Sequence, residues 1–135
     1  MHLIVDGYNM IRAIEVYTRE EGRSLRHGRE LLLEDLENYL SQGDDLCLVV
    51  FDANFIRGTK NSEESFAGID IIFASALPSA DDVILEKIKE FRKDGEQITL
   101  VTNDNLLRIE AVYAGANTMS PEKLYEKMKA GLRIK

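Results

Sequence analysis

The stretch LIVDGYNMI, residues 3–11, starts with three aliphatic residues and breaks at once into Asp6-Gly7. Three residues are too few for a helix, and unbroken apolarity suits a strand covered on both faces. The same pattern returns at residues 46–51, 69–73 and 98–101, and more briefly at 116–119. Between these runs the spacing changes to that of helices. Residues 24–42 place Leu25, Leu32, Leu36, Tyr39 and Leu40 on one side, with Gly43 as a stop. At residues 79–95 a serine N-cap is followed by Asp82 three positions on, a stripe of Ile84, Ile88 and Phe91, and a closing glycine. A third helix is expected from Asn103 or Asp104 to Gly115. A fourth is expected from Ser120, with Pro121 in its first turn. Strand and helix in alternation predict an α/β domain with a mainly parallel sheet of four to five strands, the first strand central. Residues 53–68 are polar and long, and read as a loop without structure of its own.

The chain has 135 residues, enough for a single domain over residues 1–135 with its own core. Its 24 acidic against 17 basic side chains give a formal charge of −7, which argues against a surface that coats nucleic acid. One cysteine, Cys47, excludes an internal disulfide. An aspartate as early as position 6 leaves no room for a signal peptide, and no run is long enough to span a membrane. A cytoplasmic protein without a membrane partner is therefore expected.

In an open parallel sheet, ligands bind beyond the carboxyl ends of the strands. Asp6 and Asp52 end the first two apolar runs, Asn103 and Asp104 follow the fourth, and Asp81 and Asp82 open the helix after the third. Each has a structural use as a cap or turn residue. Together they place one kind of charge on one rim. Two such charges about 4 Å apart at a partly shielded site repel by roughly 4 kcal/mol, so converging carboxylates call for protons, basic partners or a cation. An all-oxygen donor set suits Mg²⁺ or Mn²⁺, and with only His2, His27 and Cys47 as softer donors zinc is disfavoured. Such an ion would polarise a phosphoryl oxygen and activate water, which implies phosphodiester hydrolysis. No phosphate-binding glycine loop, dinucleotide fingerprint or nucleophile elbow is present.

The blocks IVDGYNMI (4–11), VVFDA (49–53), RGT (57–59), GIDIIFAS (68–75), SADDVI (79–84) and LVTNDNLLR (100–108) resemble, in order, the NYN domain of the YacP type, a branch of the PIN-like nucleases. The resemblance implies a PIN-like three-layer α/β/α sandwich, a Mg²⁺ or Mn²⁺ site and cleavage of single-stranded RNA, with messenger RNA on the ribosome as one setting. It makes Asp6 the central ligand, Asp81 and Asp104 the further catalytic carboxylates, and Asp82 an adjacent ligand. Asn9, Asp52 and Asn103 would support the site. Where the family pattern is threonine-serine-aspartate, this chain has Thr102-Asn103-Asp104.

Charge is unevenly spread. Residues 12–29 carry five arginines against three glutamates, residues 57–60 add Arg57 and Lys60, and residues 34–45 hold five acids and no base. Arg12, Arg57 and Lys60 are candidates for phosphate contacts, and Tyr8 for stacking on a base or for packing beneath the site. The alternative on the same residues is an inactive RNA- or ribosome-binding module. A receiver-like signalling domain would want paired acids at the first strand and a lysine after the last, and neither is present. A homodimer is a further expectation of the resemblance, and Leu124, Tyr125 and Met128 form a stripe that would serve it or the core.

Overall fold

The computed structural model describes residues 2–22, 24–41, 43–52, 62–75 and 78–134. The apolar runs form strands β1 (His2–Asp6), β2 (Leu46–Asp52), β4 (Ile69–Ala74) and β5 (Ile98–Val101), joined by β3 (Ser62–Phe66) and β6 (Asn117–Met119). They make one sheet in the order β3-β4-β2-β1-β5-β6, parallel except where β3 runs antiparallel to β4. β1 is central, between β2 and β5.

The sheet has six strands where four to five were expected. The additional one, β3, lies within the connection read as a loop. Its sequence SEESF shows no apolar run because it is an edge strand, and Glu63, Glu64, Ser65 and Phe66 are all exposed. Charged side chains on an edge discourage pairing with another sheet. The hairpin turn at Ala67-Gly68 has positive φ at both positions, the conformation that a tight two-residue loop requires.

Alternating side chains of the inner strands feed two cores. On one face Leu3, Val5, Val49 and Phe51 pack with helices α1 (Gly7–Ala13), α2 (Glu15–Glu21), α3 (Leu25–Leu40) and α6 (Pro121–Ile134). On the other, Ile4, Leu48, Val50 and Leu100 pack with α4 (Ala80–Lys93) and α5 (Asn105–Tyr113). This is the expected three-layer sandwich. Helices α1 and α2 were not foreseen. Each is only seven residues long, neither has a side-chain cap, and they meet at an extended Ile14. Leu124 and Met128 of α6 are buried in the first core, and Tyr125 packs edge-on against Tyr17. That stripe is core, so it offers no dimer surface.

Gly7 has a steric reason. A Cβ at this position would stand 2.4 Å from the Phe51 ring. Phe51 is itself held between the rings of Tyr8 and Phe73 and has no room to yield. Gly7→Ala is expected to cost about 2–3 kcal/mol by overpacking. A denaturant titration would show this as a lower midpoint with unchanged slope.

Candidate active site

β1 and β5 are neighbours whose onward connections leave in opposite directions. From β1 the chain reaches β2 through α1, α2 and α3 on one face, and from β5 it reaches β6 through α5 on the other. Such a reversal opens a crevice at the carboxyl ends of the two strands. Asp6 ends β1, and Thr102, Asn103 and Asp104 follow β5, so these four residues stand at the crevice.

Asp6 occupies the N-cap position of α1, yet its side chain makes no cap hydrogen bond. Its partner is Thr102, fully buried, whose Oγ1 donates to Asp6 Oδ2 at 2.9 Å. The same oxygen accepts from the backbone N–H of Asp104 at 3.1 Å, so one hydroxyl ties two acids of the crevice together. Burial pushes the Asp6 carboxyl up to about 6. The Thr102 bond opposes that rise, while Asp81, Asp104 and Asp52 add to it. Asp81 is likewise raised, by burial first and then by Asp104, Glu110, Asp82 and Asp52. Among the described residues, the charges that act on these two groups are negative. Asp6, Asp52, Asp81 and Asp104 therefore share one field, as their placement on the rim predicts.

The other expected residues fall as follows. Asp104 caps α5, its Oδ1 accepting from the Leu107 N–H at 3.0 Å. Asp82 is part of a reciprocal capping box with Ser79 and acts on Asp81 but not among the charges on Asp6, so it is turned toward the helix end. Asn9 Oδ1 accepts from the Asn103 N–H at 2.8 Å, which makes it a brace for the β5–α5 turn. Asn103 Nδ2 donates to both carboxylate oxygens of Glu122 at 3.1 and 3.3 Å, linking the turn to the first helical turn of α6. Glu122 and Thr102 were not in the expected site, although the threonine of the Thr102-Asn103-Asp104 block was visible.

Tyr8 requires a correction. It is only 4% exposed, its ring packs on Phe51, and its hydroxyl accepts from Arg29 Nη1 at 3.0 Å. It lies beneath the site and presents no face to a base. Arg12 is exposed at the end of α1, its guanidinium 5.9 Å from the Tyr8 ring centroid. Arg57 and Lys60 lie outside the described residues.

Among the described residues, no three His, Cys, Asp or Glu side chains stand close enough to enclose a metal ion. The donor chemistry nevertheless fits a hard cation. Mg²⁺ is commonly held by one or two carboxylates, with waters and phosphate oxygens completing its shell, so a closed cage is not required. Asp6 with Asp81 or Asp104 could supply that minimal set, and the Asp6 carboxyl is raised by burial first and then by Asp81, Asp104 and Asp52.

The described residues form an α/β domain on a mainly parallel sheet, with an acidic crevice at the carboxyl ends of β1 and β5. The chain belongs to the YacP-like NYN domain family, whose model matches residues 3–133. It is similar to the uncharacterized protein YacP of Bacillus subtilis, with 28% identity over 102 residues that cover 76% of this chain and 59% of that protein. The match thus spans less than two-thirds of the relative's length. Crystal structures of Rae1 (YacP) from Bacillus subtilis superpose with a TM-score of 0.83, and of its W164L mutant with 0.82, each at 26% identity. Both cover 98% of this chain, and 76% and 77% respectively of those chains. Among the described residues no helix is long and apolar enough to cross a membrane.

Proposed function

We propose that the chain is a metal-dependent endoribonuclease that hydrolyses phosphodiester bonds of single-stranded RNA at the crevice between β1 and β5. The observation that carries the reading is Asp6, a mostly buried carboxyl at the carboxyl end of the central strand, raised by burial and by three further aspartates. Asp6, Asp81 and Asp104 would hold Mg²⁺ or Mn²⁺. The bound cation would polarise the phosphoryl oxygen and acidify the attacking water. Thr102 fixes the Asp6 carboxylate and the turn that carries Asp104, and Asn9 and Asn103 hold that turn against α1 and α6. Asp52 contributes negative potential from the next strand.

The net charge of −7 leaves naked RNA weakly held at physiological salt. Presentation by a larger assembly in the cytoplasm, the ribosome, belongs to the same proposal. The inactive-module alternative draws on one observation, the absence of a closed ligand cage among the described residues. Incubation of labelled single-stranded RNA with the protein separates the two. Internal cleavage that needs Mg²⁺ or Mn²⁺, stops with chelator and falls about 100-fold or more in Asp81→Asn supports the enzyme. RNA bound but left intact at every metal concentration supports the module.

A further inference from the structure

A second cleft, of about 470 Å³, lies between α3 and the β3–β4 hairpin. Its rim end is formed by Arg29 and Phe73. The Arg29 guanidinium donates to Tyr8 Oη at 3.0 Å and lies 5.6 Å from the centroid of the Phe73 ring. Tyr8 is two residues past Asp6, and Phe73 precedes Ala74, which pairs in register with Asp52. Two aromatic side chains thus hold one cation beside the acidic crevice. Among the described residues Arg29 makes this one hydrogen bond and no ion pair, although a guanidinium carries five N–H donors. Arg26, one turn earlier, is spent on Glu30 at 2.7 Å, and Glu34 and Glu64 line the other end of the cleft. The cleft therefore runs from cationic at the rim to acidic away from it.

We propose that Arg29, backed by Phe73 and Tyr8, is a phosphate subsite for a nucleotide that flanks the bond cleaved at the crevice, on a single-stranded RNA. The inference rests on the endoribonuclease reading for the identity of the substrate. A guanidinium held over a ring and fixed by a hydrogen bond to Tyr8 loses little freedom when it takes a phosphate. The acids beyond it repel a second phosphate, so the contact is limited to one, and the strand passes over the rim instead of down the cleft.

The test is fluorescence anisotropy with a short labelled single-stranded RNA in chelator, across a salt series, run beside a cleavage assay with Mn²⁺. Arg29→Met keeps the apolar stem over Phe73 and removes the charge. It is expected to weaken binding about five- to tenfold at about 0.1 M salt, and to flatten the plot of log affinity against log salt by about 0.7, the value for one single-strand phosphate. Arg29→Lys should retain the slope, as should Tyr8→Phe, which removes only the hydroxyl. An Arg29→Met protein with a lower melting temperature but the slope of the intact protein would show a structural prop and overturn the proposal. Intact protein that cleaves RNA while the slope is unmoved in Arg29→Met rejects the subsite and spares the nuclease. A flattened slope without any cleavage rejects the nuclease and spares the subsite.

Discussion

Asp6→Asn is expected to lower RNA cleavage by about 10²–10³-fold or more and, in the same protein without metal, to raise stability at pH 7.5. The two effects have one cause. Folding places the Asp6 carboxyl in a buried position surrounded by Asp52, Asp81 and Asp104, and its pKa rises from 3.8 to about 6. A carboxyl with a raised folded pKa binds more protons in the native than in the unfolded state between those limits, so stability falls as pH rises through them. Below about pH 4 the group costs nothing. Above about pH 6 the full penalty applies, about 3 kcal/mol from the shift alone. An asparagine escapes that penalty, and the Thr102 bond is already contained in the shift, so a net gain of up to about 3 kcal/mol is expected. Denaturant titrations at pH 4 and 7.5 check it: the variant should match the parent at the lower pH and exceed it at the higher. Equal stability at both would mean that Asp6 carries no strained charge.

The second large effect is that of the cation. Mn²⁺ at about 100 times its dissociation constant should stabilise the folded protein by about 2.7 kcal/mol, a shift of several degrees in melting temperature. Protons compete for the same carboxylate. At pH 5 Asp6 is mostly protonated, so the apparent affinity should fall about tenfold from its value at pH 7. Asp6→Asn should not respond at either pH. A shift of equal size in parent and variant would place the ion elsewhere, for instance among Glu63, Asp82, Glu86 and Glu90 on the α4 side of the sheet edge.

The central strands were legible because a strand buried on both faces must be apolar throughout. The long helices were legible because apolar residues recur in them at helical spacing, Ser79 caps one of them, and Gly43 and Gly95 follow their ends. β3 was not, since an exposed edge strand pairs through its backbone and leaves its side chains free to be Ser and Glu. Helices α1 and α2 escaped because neither carries a side-chain cap, and a seven-residue helix depends on tertiary packing more than on propensity. In the site, a parallel sheet sends every strand end to one rim, so the aspartates could be placed from topology alone. Topology does not tell a ligand from a cap. Asp82 points to Ser79, and Asp104 gives one oxygen to its own helix. Thr102 was hidden for a further reason, that a buried threonine after a strand reads as β-propensity until its hydroxyl is seen between Asp6 and Asp104.

Anomalous diffraction from crystals soaked in Mn²⁺ at neutral pH locates the cation. A peak is expected in the crevice between β1 and β5, in contact with Asp6 and with at least one of Asp81 and Asp104, absent from Asp6→Asn crystals. A peak away from Asp6, or none at a concentration that saturates the thermal shift, would contradict a metal site built on Asp6.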